Sequence, residues 1–381
     1  MSEPSATPAR PYIGGQALLE GVMMRSPHSF AIVCRRRSGE LVVRERPIVD
    51  ERKGVRAWPL IRGIVTLVES LKLGSEALRF SADLYEKDME AADKEESVKK
   101  SLASKASTLL SALSLPIIAL ASLPSDHQAT GATADGKSGA GKLAQMATIA
   151  FALGLFIAAP QAGANGINKL FHLDYDIRSA PFALLTGAMK LTIVVGYLAL
   201  IRRVPDIRRV FQFHGAEHKT ISTYEAEEEL VVANARAKTT LHPRCGTTFL
   251  VMVAMVSVVV FAGISPLLPR IGALNGFSEN VALFLMKLPF IPVIAGITYE
   301  IQRVFARYCT TGPLRALLWP GFLVQKITTI EPDDTQLEVA LASLRATLWR
   351  EEALAAAPAT VTERTFPSYG DLAADVGFAR A

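Results

Sequence analysis

Cysteine is scarce in this chain. Three stand among 381 residues, at positions 34, 245 and 309. An odd and scattered set does not make a disulfide framework, so the soluble parts are expected to face a reducing compartment. A basic-then-apolar opening is also missing: residues 1–10 are polar and carry prolines, and no cleaved export segment is expected. Charge is the third shortage. Runs 143–160, 181–201, 247–268 and 281–299 hold almost none. Each approaches the roughly 17–25 residues a membrane helix needs. With a mean hydropathy of +0.27, these runs argue against a string of soluble domains, although the length alone would permit two or three.

Basic residues set the expected orientation. Arg202, Arg203, Arg208, Arg209, Lys219, Arg236, Lys238 and Arg244 crowd the segment between the second and third runs. Arg303, Arg307, Arg315 and Lys326 follow the fourth, whereas the link near Pro269 carries only Arg270. Cytoplasmic loops collect such residues, so the 202–244 segment and both termini are expected inside. The net charge of +5 is accounted for in this way, and nucleic acid is not an expected partner. With both ends inside, crossings must be even in number. The serine-rich apolar stretch 107–123, with a central Pro116, is therefore read as an interfacial or packed helix, leaving four spans.

Local pattern divides the chain further. Residues 30–36 and 40–46 are β-prone and meet at Ser38-Gly39, which predicts a hairpin. Leu60, Ile64, Leu67, Val68, Leu71 and Leu78 keep helical spacing, and the charged stretch 83–100 is expected as a solvated helix. The fold class expected is a mainly α, polytopic membrane protein of about four transmembrane helices, with a small α+β cytoplasmic N-terminal region containing the hairpin. Along the chain this gives a cytoplasmic N-terminal region at 1–105, then an extra apolar helix and linker at 106–142. A first transmembrane pair follows at 143–201, a cytoplasmic His/Glu/Cys loop at 202–246, a second pair at 247–299 and a cytoplasmic tail at 300–381. Within the linker, Gly131 to Ser138 matches G-x-x-x-x-G-K-S. A phosphate-binding loop needs a strand just before it and a helix just after; here a proline and polar residues precede it, so nucleotide binding is not expected.

Chemistry concentrates at Phe213-His214-Gly215-Ala216-Glu217-His218-Lys219. On a helix His214, Glu217 and His218 share a face, in the H-x-x-E-H order of inverzincins. Two neutral imidazoles can hold a zinc-type ion while the carboxylate moves a proton. Ile207, Phe211, His214, His218, Ile221 and Glu225 form one stripe, which predicts burial of the histidines. Gly215 costs helix stability, and suits the close approach of another backbone or a substrate. Glu225 stands roughly 10 Å from His218 at about 1.5 Å per residue, so a third ligand must come from elsewhere. His242 and Cys245, in His242-Pro243-Arg244-Cys245-Gly246, lie just before the third run. Cys245 sits at the start of a helix beside Arg244, where a thiolate is favoured. Glu300, at the end of the fourth run, shares their expected depth.

Other stretches join these into a larger pattern. Gly14-Gly15-Gln16-Ala17-Leu18-Leu19-Glu20-Gly21-Val22-Met23-Met24-Arg25, the segment from Phe213 to Thr220 and His242 to Thr247 stand with Tyr299-Glu300, Pro320-Gly321, Gln325, Thr328-Thr329 and Glu331-Pro332. In these motifs the chain resembles the YqhQ-like family of bacterial integral membrane proteins, of unknown function and sometimes described as predicted metal-dependent enzymes. The likeness runs from about residue 12 to 344. It implies a bacterial cytoplasmic-membrane location and suggests a metal, but supplies no substrate. The apolar stretch 107–123 and the linker are longer than that pattern, and residues 178–186 lack a Glu-Gly.

The leading expectation is a divalent transition metal, zinc by preference, on His214 and His218 with His242 or Cys245. Glu217 would act as general base toward water in hydrolysis at the membrane surface. Glu225, Glu300 and Glu20 are possible further site residues. Membrane lipid and an unidentified protein or substrate are the expected partners. The alternative is a non-enzymatic scaffold or regulator whose His/Cys cluster is structural. A transporter is less favoured, because ion pathways need more buried charge than these runs carry.

Overall fold

Apolar residues alternating between two covered faces build the sheet. Strands β1 (Gly14–Leu18), β2 (Gly21–Arg25), β3 (Ser29–Arg35) and β4 (Leu41–Pro47) form an antiparallel meander, and β5 (Thr362–Phe366) adds to the free edge of β4. The helices are α1 (Ile61–Glu96), α2 (Ala159–Leu170), α3 (Ala180–Ile201), α4 (Pro205–Glu225), α5 (Val232–Ala237), α6 (Gly246–Ile264), α7 (Gly276–Lys287), α8 (Ile291–Tyr308), α9 (Trp319–Thr328), α10 (Asp334–Glu352) and α11 (Tyr369–Ala374). The structure is a computed structural model and describes residues 10–48, 53–96, 151, 154–269, 276–309, 312–352, 360–375 and 378.

The expected hairpin is present as β3–β4, with Cys34 opposite Val42 and Ile32 opposite Arg44. It is the middle of a five-stranded sheet rather than a separate unit. Val22, Met24, Ala31, Val33, Leu41 and Val43 project to one side, where Phe213 and Ala216 of α4 and the apolar residues of α10 cover them. Met23, Phe30, Ile32, Cys34 and Val42 project to the other, against Leu73, Ala77 and Phe80 of α1. This is the two-residue period of a strand buried on both faces. The helix expected over 59–80 and the charged helix after it are one continuous element. Three layers result: α1, the sheet, and α4 with α10. Both ends of the chain contribute to them.

Away from these layers, three helices are long and apolar enough to cross a membrane: Ala180–Ile201, Gly246–Leu267 and Val281–Phe305. Their outer faces leave Leu184, Leu250, Val259 and Leu267 exposed, Leu267 at 82%. Apolar exposure on this scale suits lipid rather than water. Four spans were expected; the remaining run, 143–160, falls largely outside the described residues. So do stretch 107–123, the linker and its G-x-x-x-x-G-K-S match. The last apolar run also carries a charge, Lys287, whose ammonium lies 5.5 Å from the centre of the Phe261 ring.

Ion pairs mark the two ends of this bundle. At one, Arg178 is buried and donates to the Leu268 and Pro269 carbonyls at 2.9 and 2.7 Å and to Glu279 at 3.1 Å. At the other, Arg62 of α1 donates to Glu300 of α8 at 2.7 Å. The layered part therefore adjoins the end at which α3 finishes and α6 begins.

Candidate metal centre

Helix α4 carries the centre. Val204 is extended and Pro205 opens the helix, where its missing N–H costs nothing. The helix then runs unbroken to Glu225. His218 is 1% exposed, and Phe211 and Ile221 are buried with it, as the stripe predicts. Burial goes further than one stripe, because Phe213, Ala216, Glu217, Lys219 and Thr220 are buried as well. The Lys219 ammonium is kept by the Arg236 carbonyl at 2.8 Å and by Glu331 at 2.5 Å.

Gly215 admits a neighbouring backbone. A Cβ there would stand 2.1 Å from the Ile330 carbonyl oxygen, far inside any real contact. The Ile330 N–H donates to the Phe211 carbonyl at 2.9 Å. This seats the segment after α9 directly on α4 and brings the Thr328 carbonyl within 2.8 Å of His214 Nδ1. Across the same helix face, His218 Nδ1 lies 2.5 Å from the Thr240 carbonyl. A carbonyl only accepts, so both imidazoles must carry their proton on Nδ1. Nε2 is thereby the nitrogen each ring presents to the site, the arrangement that orients histidine ligands.

Cys245 meets them from the N-cap of α6. Its sulfur lies 3.1 Å from His214 Nε2, and it accepts from the Thr247 N–H at 3.3 Å, with the Thr247 hydroxyl at 3.1 Å. Burial alone would raise the thiol; the facing His214 and His218 imidazoles outweigh it and hold the pKa well below the ordinary value. Burial acts on His214 in the opposite sense and is likewise outweighed, chiefly by Cys245, so that its pKa rises to about 9. The ligand atoms of His214, His218 and Cys245 all lie within 4.8 Å of one another.

Glu217 points from the same helix toward β1. The Ala17 N–H bonds its carboxylate, and a Cβ on Gly15 would come within 2.8 Å of its Cγ. The glycine of the N-terminal motif thus makes room for the carboxylate of the histidine motif. Burial pushes Glu217 up to about 7, against the lowering pull of His214 and His218. One Glu217 carboxylate oxygen and His218 Nε2 are buried with no hydrogen-bond partner. Such atoms are costly to bury unsatisfied, and a cation among His214, His218 and Cys245 would satisfy the imidazole. The donor set fits a zinc-type ion.

The remaining expected residues lie around this group. His242 stands beside it, its ring centre 5.7 Å from that of His218. Its Nε2 donates to Glu225 at 3.2 Å and its Nδ1 accepts the Arg244 N–H at 3.4 Å. Burial lowers its pKa to about 4, so the ring is neutral. Gln325 pins the His242 peptide, accepting its N–H at 2.8 Å and donating to its carbonyl at 2.7 Å. Glu225, at the far end of α4, is shared between His242 and the Arg244 guanidinium. Glu300 is taken by Arg62. Glu20 sits in the β1–β2 turn at positive φ and is gripped by Arg209 through two 2.5 Å bonds. These three carboxylates are spoken for by arginines.

Sequence reasoning passed over Thr240 and Ile330, and Thr328 entered only as part of the family-like motif. They act through main-chain carbonyls, which leave no side-chain signal. Gln325 and Thr247 were visible only as parts of the family-like motif. An α/β layer joined to helices of membrane-spanning length, with a His–His–Cys group where they meet, defines the class of protein. The chain belongs to the family described as Protein of unknown function (DUF1385), which matches residues 58–350. It is 30% identical over 348 residues to Uncharacterized protein YqhQ of Bacillus subtilis (strain 168), a match covering 90% of this chain and 94% of that protein. No solved structure matches it.

Proposed function

We propose that this chain is a four-span protein of the bacterial cytoplasmic membrane with both termini in the cytoplasm and a metal centre on the cytoplasmic side, where it carries out metal-assisted hydrolysis. Run 143–160 would be the fourth span. His214, His218 and Cys245 would hold a divalent transition ion, zinc by preference. A bound ion would supply Lewis acidity and make water a better nucleophile at neutral pH. The protein's own residues supply the rest. The Thr328 and Thr240 carbonyls fix the ring tautomers, and Thr247 holds the sulfur. Glu217, anchored by Ala17, keeps one oxygen free to take a proton and later return it. Its pKa near 7 is where a general base is most effective.

The observation that carries this reading is the pairing of a three-residue ligand set with a buried, unpartnered carboxylate oxygen beside it. Three protein ligands are the count of catalytic zinc sites, whereas structural sites close with four. A second reading, a structural ion in a scaffold or regulator, draws on the depth of burial of His218, Cys245 and Glu217.

One pair of variants separates the two. Purified protein in lipid nanodiscs is assayed for zinc content and for zinc-dependent hydrolysis across ester, phosphodiester and peptide substrates. Glu217→Gln is expected to keep wild-type zinc and lose about 100-fold or more of the turnover. His214→Ala combined with His218→Ala is expected to lose both. Unchanged turnover in Glu217→Gln, or no hydrolysis by zinc-loaded wild type, would leave the structural reading standing.

A further inference from the structure

A second site lies where α3 leaves the apolar bundle. An open cavity of about 530 Å³ is lined by Ala199, Arg202, Arg203, Arg208 and Ile327. Three of its five lining residues are arginines. Arg202 is committed in part, donating to the Lys326 carbonyl at 2.5 Å. Arg203 and Arg208 are exposed and have no acidic partner among the described residues. The neighbouring charges point elsewhere. Arg209 is held by Glu20, and Asp206 lies within electrostatic reach of Tyr85 on α1 without lining the cavity. Two unpaired guanidiniums and a third beside them leave strong positive charge facing an open cavity.

The cavity's depth is marked independently of its charge. Ala199 is in the last turn of α3, a helix long and apolar enough to span a membrane. On α9, Trp319 and Leu323 are exposed, and the Lys326 ammonium lies 5.8 Å from the centre of the Trp319 ring. Tryptophan beside lysine is the pairing found at the headgroup level of bilayers. Ala199 and Ile327 give the cavity an apolar wall next to its guanidiniums. A ligand that suits both is a phosphate group joined to an apolar body. Arginine binds phosphate through paired N–H donors, and basic pockets at this level take anionic headgroups.

We infer that Arg202, Arg203 and Arg208 form a binding site for the phosphate of an anionic phospholipid, seated between the ends of α3 and α9. None of its residues is among His214, His218 and Cys245.

Native mass spectrometry of the full chain in detergent tests this, with phosphatidylglycerol, phosphatidylcholine and inorganic phosphate titrated separately. Phosphatidylglycerol is expected to bind more tightly than phosphatidylcholine. Arg203→Gln combined with Arg208→Gln is expected to weaken it roughly 25-fold, at about fivefold per lost charge. Lys72→Gln with Arg79→Gln, the same charge change on the exposed face of α1, should leave it unaltered. Circular dichroism confirms that both double variants are folded. Equal binding of the two lipids, or equal losses in both double variants, would overturn the site. Inorganic phosphate binding as tightly as phosphatidylglycerol, and lost in the same arginine variant, would overturn the lipid assignment.

Discussion

At Gly215 the α4 backbone meets the Ile330 carbonyl so closely that any side chain collides with main chain. Main chain cannot rotate away as a side-chain tip can. Gly215→Ala must therefore push the 328–331 segment off the helix, carrying the Thr328 carbonyl away from His214. A loss of about 1–3 kcal/mol is expected, the range for overpacking a tight contact, although alanine is the better helix former. Thermal melts in detergent check it; a variant as stable as wild type would show that the two backbones are not pressed together. The readable part of the centre was its side chains. His214, Glu217, His218 and Cys245 declare themselves by type and spacing, and the burial expected of the histidines is found, complete at His218 and partial at His214. What fixes the rings, Thr240 and Thr328, works through carbonyls that every residue possesses. The commitment of Glu20, Glu225 and Glu300 to arginines was equally illegible, since the partners are remote in sequence.

Among the elements, β3–β4 and α1 were legible because each has a clear period and an apolar side. Strand β5 was not. It reads Thr-Glu-Arg-Thr-Phe on a sheet edge, half exposed, and offers no apolar alternation. Helix α10 is buried on almost every side, so it presents no stripe to find. The hairpin end is tied to α1 by Asp88, which accepts from the Arg36 guanidinium at 3.0 and 2.5 Å and from the Arg37 N–H at 3.1 Å. Partial burial would raise the Asp88 carboxyl; the Arg36 bonds outweigh it and hold it below the ordinary range. A depressed folded-state value adds stability above the unfolded pKa of about 3.9, and that stability is lost as pH falls through the folded value. Asp88→Asn is accordingly expected to be less stable than wild type at pH 7, with the gap narrowing below about pH 4. Denaturant titrations at several pH values measure this, and a gap independent of pH would contradict it.

In the whole molecule, apolar runs made the three helices of membrane-spanning length visible, but not the way the ends of the chain come together. Strand β5 pairs with β4 across more than 300 residues, Leu41 opposite Phe366, a pairing that no local pattern announces. The helix ends also set a testable arrangement. Asp174 lies on the side marked by Arg178, and Glu229 on the side of His218 and Cys245. In intact cells, Asp174→Cys is expected to react with a membrane-impermeant thiol reagent, and Glu229→Cys only after permeabilisation; the reverse pattern would invert the proposed orientation. The central claim is that side chains from α4 and from the start of α6 share one ion. Loading the purified protein with cobalt(II) tests it most directly, because a thiolate bound to cobalt gives a sulfur-to-metal charge-transfer absorption. The expected result is one cobalt per chain with that absorption present, abolished in Cys245→Ser and in His214→Ala with His218→Ala. Cobalt bound without a thiolate signature, or a signature that survives Cys245→Ser, would contradict it.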